Sequence, residues 1–279
     1  MKIAITGGKG GTGKSTVAVA IAHLLSKSKK VLLIDLDVDC PGDHLLSSLE
    51  LEKVTDIENM IPKIDQSKCM KCGKCASVCP ENAMAFVKGN FPILVPEQCI
   101  GCGACKIVCP FGAITEEKQV IGEIFKAERG NLTLISGKMK PGIEESSLVV
   151  NAVKKYVAPF EKEYDHIIID TAAGTHCPVI AALLDVEYAL AITEPTALGA
   201  HDLDLILDLT RKLGIPFQIM LNRSGIGPEN LIEEVRAKHN TQIIAKLPYS
   251  KEIERFYSLG KPVEHESIEY VADLIFNKQ

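Results

Sequence analysis

The chain contains no tryptophan, and aromatic residues make up 5% of its 279 positions. Recognition of nucleic-acid bases by stacking on aromatic rings is therefore disfavoured. Positive charge is also not in excess: 31 Lys and Arg stand against 36 Asp and Glu, a net charge of -5. Without a broad basic field there is little counterion release to drive nucleic-acid binding, and no nucleic-acid partner is expected. No apolar run approaches the roughly 18 residues of a membrane span. Met1-Lys2-Ile3-Ala4-Ile5-Thr6 leads straight into glycines, with no apolar segment and small-residue cleavage site of a secretory signal. A soluble, cytoplasmic chain is expected. Hydrophobic residues reach 46%, enough for a sizeable core and too many for disorder.

What is present alternates. Short apolar runs at 2–6, 31–34, 132–135, 166–169, 189–192, 217–221 and 242–246 read as strands. Helical patterns fall at 14–26, 144–157, 178–184, 199–213, 229–238, 251–259 and 268–276. Strand–helix alternation predicts an α/β fold with a mostly parallel sheet and helices on both faces. One stretch, about 63–118, breaks the alternation and holds eight of the ten cysteines. It reads as a compact module inserted between the second and third strands, dividing the α/β domain into 1–62 and 119–279.

Gly8-Lys9-Gly10-Gly11-Thr12-Gly13-Lys14-Ser15 follows the first strand and opens the first helix. This is the phosphate-cradling loop pattern, G-x-x-x-x-G-K-[ST]. Its glycines let backbone N–H groups turn toward an anion, and the helix N-terminus adds partial positive charge there. Lys14 would bridge outer phosphates, Ser15 would ligate Mg²⁺ and Thr16 would help to hold the inner phosphate. Beyond the second strand, Asp35-Leu36-Asp37-Val38-Asp39 supplies carboxylates that can orient an attacking water or hold Mg²⁺ through water. Ile167-Ile168-Ile169-Asp170 is an apolar strand ending in an acid, a second element of such sites.

The cysteines repeat. Cys69, Cys72, Cys75 and Cys79 recur 30 residues later as Cys99, Cys102, Cys105 and Cys109, and Pro80 and Pro110 follow the two runs. This C-x2-C-x2-C-x3-C-P spacing is that of two-cluster bacterial ferredoxins, where the fourth cysteine of each run serves the other cluster. One 4Fe–4S cluster would use Cys69, Cys72, Cys75 and Cys109, the other Cys99, Cys102, Cys105 and Cys79. Gly73, Gly101 and Gly103 allow a tight backbone whose N–H groups can reach the sulfurs. Zinc is the competing reading, but it uses paired knuckles and needs neither a third cysteine nor a crossed fourth. Cys40 and Cys177 are left over; the plainer reading is a buried small apolar residue near a moving loop.

Lys9, a second lysine early in the glycine loop, resembles the loop of the MinD/ParA family, which includes nitrogenase iron protein. The chain as a whole resembles a MinD/ParA-superfamily ATPase carrying an inserted ferredoxin domain. The resemblance implies that Lys9 reaches a partner subunit's nucleotide in an ATP-dependent homodimer. It also implies that Asp37 activates water, with Asp39 as competitor, and that Gly174 moves toward the γ-phosphate. Asn222 with Arg223 resembles the segment that reads the adenine edge, and Pro248 the loop that wraps the base. Cys177 stands as far beyond Asp170 as a cluster-ligating cysteine does in the iron protein, which implies a third metal or cluster shared across a dimer. The C-terminal stretch 267–279 carries Glu269 and Asp273 against Lys278. It lacks the basic character of the membrane helix of MinD, so no membrane partner is expected.

The expected activity is ATP binding and hydrolysis that couples dimer switching to electron transfer through the two clusters, toward a redox donor or acceptor. The alternatives are delivery of a metal or iron–sulfur cluster to a client protein, and a non-enzymatic redox scaffold.

Overall fold

A computed structural model describes residues 1–276. In chain order the elements are β1 (Lys2–Thr6), α1 (Lys14–Ser26), β2 (Val31–Leu36), α2 (Asp43–Leu46), β3 (Glu52–Ile64), α3 (Lys74–Ser77), β4 (Met84–Ala85), β5 (Ile93–Leu94), α4 (Ala104–Val108), β6 (Ile114–Arg129), β7 (Leu132–Met139), α5 (Ser146–Val157), β8 (His166–Thr171), α6 (Cys177–Leu183), β9 (Tyr188–Thr193), α7 (Ala197–Lys212), β10 (Phe217–Ser224), α8 (Asn230–Lys238), β11 (Ile243–Pro248), α9 (Lys251–Ser258) and α10 (Glu266–Phe276). Among the described residues nine strands form one sheet, in the order β11-β10-β9-β1-β8-β2-β7-β6-β3.

The central strands are apolar on both faces because both faces are covered. With a period of two, Ile3, Ile5, Leu33 and Ile168 point to one side and pack with α1 and α10. Ala4, Leu32, Ile34, Ile167 and Ile169 point to the other and pack with α5, α6, α7 and α8. The helices end as their sequences direct. Thr196 caps α7 through a bond from the Gly199 N–H, Ser250 caps α9 through Ile253, and Glu145 caps α5 through Ser147.

Seven neighbouring strands from β11 to β7 are parallel. The departure lies at one edge. β6 pairs antiparallel with β7, and β3 pairs antiparallel with β6 from Glu52↔Lys126 to Ile64↔Ile114. Neither long strand is among those expected from the sequence. Both run past the expected module limits at 63 and 118, so the cysteine-rich stretch occupies 65–113, at the far end of a two-stranded ribbon. Ile57, Ile121 and Ile124 anchor the ribbon's near half in the core. Its far half buries Ile61, Pro62 and Ile114 and carries exposed cross-strand ion pairs, Lys118–Glu58 at 2.6 Å and Lys63–Glu117 at 3.0 Å. Such pairs add little each; the backbone ladder holds the strands together. Register shifts between Lys53 and Thr55 and between Ile57 and Glu58 break the alternation that would mark a strand.

Among the described residues no helix is long and apolar enough to cross a membrane. Of the stretch 267–279, positions 277–279, including Lys278, lie outside the described residues.

Candidate functional site

The loop from Gly7 to Gly13 links β1 to α1 at the C-terminal edge of the parallel strands, where β1 separates β9 from β8 and β2. This is the crevice in which open α/β sheets bind ligands. Two glycines are required by packing. A Cβ on Gly8 would meet the Asp202 carbonyl oxygen at 2.2 Å, and one on Gly13, at φ +97, would meet Asn222 Nδ2 at 2.2 Å. Beside Gly10 no atom lies within 4 Å of an added Cβ, so the loop crest stands open. Gly174, also at positive φ, brings its N–H to the Gly7 carbonyl at 3.4 Å.

The register of β2 on β8 sets Asp35 directly beside Asp170. Asp43, the first residue of α2, completes a trio whose carboxylate oxygens lie within 4.8 Å of one another. None of the three is more than 1% exposed. Asp35 accepts bonds from the N–H groups of Asp37 (3.1 Å), Gly42 (3.0 Å) and Asp43 (3.2 Å). Ser15 Oγ donates to Asp170 Oδ2 at 2.6 Å. Asp43 and Asp170 meet carboxyl to carboxyl, close enough to share a proton, and no N–H or O–H of another group reaches either oxygen of Asp43 or Oδ1 of Asp170. Burial, reinforced by mutual repulsion, pushes Asp35 and Asp43 well above the usual carboxylate range. Burial likewise raises Asp170 to about 6, against the pull of Ser15 and Lys14. Ser15 and Asp170, with unused oxygens nearby, form a hard oxygen-donor set suited to Mg²⁺.

Lys14 is buried and donates to the Lys9 carbonyl at 3.2 Å. Desolvation pulls its ammonium below the ordinary lysine range, opposed by Asp170 and Asp37. Asp37 is half-buried and raised by burial, with Lys14 pulling it back. Asp39 is exposed. Of the two acids expected to compete for the water-orienting role, Asp37 is thus the one beside Lys14. Thr12 is buried, and Thr16 is half-buried on the first turn of α1.

Lys9 does not reach outward here. Its Nζ donates to Glu194 Oε1 at 2.7 Å, and Arg223 Nη1 donates to Glu194 Oε2 at 2.8 Å. Burial of the Glu194 carboxylate is outweighed by these two cations, which hold it below the usual range. Asn222 is committed inward as well: its Nδ2 donates to the Thr12 carbonyl at 2.8 Å and its Oδ1 accepts from the Arg223 N–H at 2.9 Å. Both polar atoms of the expected adenine reader are therefore engaged in this structure, the amide nitrogen on the loop and the oxygen on the next residue's backbone. Pro248 is exposed at the end of β11, paired with Ser224. Cys40 and Cys177 are both exposed, not the buried apolar residues expected from the sequence: each lies in or beside a loop at the open edge of the sheet, Cys177 opening α6.

Two residues escaped the sequence reading, Asp43 and Glu194; a buried acid next to ordinary loop residues has no pattern of its own. Asp35 is among the carboxylates read beyond the second strand, and Val31-Leu32-Leu33-Ile34-Asp35 repeats the apolar-strand-then-acid pattern of Asp170.

At the far end of the ribbon are two cavities. One, lined by Cys69, Cys72, Cys75 and Cys109, opens to solvent and spans ≈ 360 Å³ with its mouth included; the other, lined by Cys99, Cys102, Cys105 and Cys79, spans ≈ 520 Å³ on the same measure. Each thus gathers three cysteines of one run and the fourth of the other. The N–H groups of Ala76, Gly101 and Lys106 bond to the sulfurs of Cys75, Cys99 and Cys105, whose thiols burial pushes up. Gly101 has φ +71, and a Cβ there would meet Asn59 Oδ1 at 2.2 Å. Asn59 in turn donates to the Cys99 carbonyl at 2.8 Å, so the ribbon grips the second cysteine loop. Among the described residues no three cysteine sulfurs lie within 4.8 Å of one another. A tetrahedral zinc with bonds of about 2.3 Å would bring its thiolates to about 3.8 Å. The donor set suits a larger thiolate-held group.

The CobQ/CobB/MinD/ParA nucleotide binding domain matches residues 3–263. The chain is 36% identical over 262 residues to the MJ0579 protein of Methanocaldococcus jannaschii, covering 94% of this chain and 90% of that one. It is 22% identical to an iron-sulfur cluster carrier protein of Pyrococcus furiosus, covering 94% and 78%. The fold is like that of the septum site-determining protein MinD of Pyrococcus horikoshii, solved with Mg-ADP: TM-score 0.62, 18% identity, 98% and 95% covered.

Proposed function

The chain belongs to the CobQ/CobB/MinD/ParA nucleotide-binding family, and from that premise we propose that it is an ATPase coupling nucleotide state to electron transfer through two 4Fe–4S clusters. ATP would lie on the loop from Gly8 to Thr16, with Lys14 on the outer phosphates and Ser15 on Mg²⁺. Asp170, bonded to Ser15, orders the waters around the metal, and Asp37 orients the attacking water. In this reading Lys9 leaves Glu194 and reaches the nucleotide of a second copy, so that ATP closes a homodimer. Asn222 and Pro248 flank the base side of the crevice.

The clusters would be held by the crossed sets Cys69, Cys72, Cys75, Cys109 and Cys99, Cys102, Cys105, Cys79, in a ferredoxin-like domain at 65–113. Bound clusters supply one-electron chemistry. The chain's own contribution is to shield the sulfurs with apolar side chains and to donate N–H groups to them. The observation that carries the reading is the pair of cavities with exchanged fourth cysteines, borne on an edge ribbon whose first strand, β3, is the next strand along the chain after the one that carries Asp35. Coupling requires the nucleotide states to differ in cluster environment or partner contacts.

The test is iron counting together with EPR of the reduced protein, prepared anaerobically without nucleotide, with ADP and with a non-hydrolysable ATP analogue. About eight irons per chain and a nucleotide-dependent spectrum or potential are expected. Spectra indifferent to nucleotide would reject the coupling; loss of iron on Cys→Ser substitution at Cys109 and Cys79 checks the crossed sets. A second reading, delivery of a cluster to a client protein, is favoured by the similarity to a cluster carrier protein and by exposed Cys177, a candidate ligand shared across a dimer. About two further irons per chain, lost in Cys177→Ser, would move the conclusion to it.

A further inference from the structure

We propose that the surface around Cys69, Cys72, Cys75 and Cys109 docks an acidic electron-carrier protein. The proposal rests on the cluster reading above.

The two cysteine cavities differ in charge. Lys74 lines the first, and no carboxylate does. Glu81 and Glu116 line the second, where the one lysine, Lys106, is spent on Glu116 at 3.0 Å. From 66 to 80 the chain carries Lys68, Lys71 and Lys74 and no acid, although the protein as a whole has a net charge of -5. Lys74 has no ion pair among the described residues. Lys68 shares Asp65 at 3.3 Å, but the lysine is exposed and the aspartate only half-buried, so the pair leaves most of the lysine's charge available. Lys71 sits at φ 54 with its Nζ 4.3 Å from the centre of the Phe91 ring. That contact fixes the ammonium without neutralising it.

The middle of the same face is apolar. Met70 and Phe111 line the cavity and are 67% and 46% exposed. Exposed apolar side chains inside a charged rim are the anatomy of a protein–protein contact. The rim's sign selects the partner: a carrier whose own redox centre is ringed by carboxylates is steered to this face and away from the second cavity. Met70 and Phe111 would then bring that centre against the mouth of the first cavity. A protein with a basic face is repelled, and an anionic lipid surface is the competitor for the same charge.

The experiment measures binding to the full chain, anaerobically, by calorimetry from about 50 to about 300 mM salt. The probes are an acidic two-iron ferredoxin, a basic c-type cytochrome and vesicles containing phosphatidylglycerol. Iron per chain is determined on every sample. The expected result is binding of the acidic ferredoxin that weakens with salt and falls at least about tenfold in Lys68→Glu/Lys71→Glu/Lys74→Glu. In Lys63→Glu/Lys106→Glu/Lys118→Glu it should change less than about twofold. If the first triple variant loses iron, single Lys→Gln changes and the wild-type salt series decide in its place. Equal losses in both triples, no preference for the acidic probe, or tighter binding to vesicles would each overturn the proposal. A chain without iron that still prefers the acidic probe would instead overturn the cluster reading and leave the docking face standing.

Discussion

Asp170→Asn is expected to stabilise the nucleotide-free protein, and to do so more strongly as the pH rises. The Asp170 carboxyl is raised from 3.8 to about 6, chiefly by burial, with the Asp37 charge adding to it. The folded state therefore binds this proton more tightly than the unfolded chain. Its contribution to stability is present in full below about pH 4 and is lost as pH rises through 6. A shift of about two units is worth roughly 3 kcal/mol at neutral pH, and about half of it develops between pH 5 and 7.5. Asparagine keeps the shape and can still accept from Ser15 Oγ, but it carries no charge to desolvate. The advantage of the variant over wild type should grow by about 1.5 kcal/mol across that interval. Urea unfolding of both proteins at the two pH values, without nucleotide or magnesium, measures the difference. A difference that stays flat, or shrinks toward pH 7.5, would refute the idea that this carboxylate is held at a cost inside a trio of buried carboxyls.

Three further outcomes follow from single sites. Lys9→Ala should leave ATP binding to the monomer within about threefold but abolish ATP-dependent dimers in sedimentation velocity; a dimer that persists would remove the role given to Lys9. Gly101→Ala places a methyl group 2.2 Å from Asn59 Oδ1 at a φ of +71, so iron content should fall by about half while the circular dichroism of the sheet is kept. Leu33→Ala, in a fully buried central strand, should cost about 2–5 kcal/mol in denaturant unfolding, whereas Leu205→Ala, half-exposed on α7, should cost well under 1 kcal/mol.

The parts legible in the sequence are those in which local pattern and tertiary environment coincide. Both faces of β1, β2 and β8 are covered, so their residues form continuous apolar runs, and the glycine loop follows from the need to turn N–H groups inward. The cysteine spacing is equally plain, because it repeats along the chain itself at a fixed offset of 30 residues. The β3–β6 ribbon was not legible. Its outer half buries only Ile61, Pro62 and Ile114, two register shifts spoil the alternation, and its cross-strand ion pairs join residues 54 to 70 positions apart, Lys63–Glu117 and Lys53–Glu123 among them. The same holds at the nucleotide crevice. Lys9 and Glu194 meet across 185 positions and Asn222 and Thr12 across 210, so the sequence shows the groups but not their present partners. Those partners bear on mechanism. Lys9 and Asn222 are both engaged within their own chain, and a nucleotide that draws either away must break bonds to Glu194 or to the loop. If Lys9 lets go, the buried Glu194 carboxylate keeps only Arg223 and the Thr196 hydroxyl, so in the proposed ATP-closed dimer the β9–α7 turn would rearrange together with Lys9.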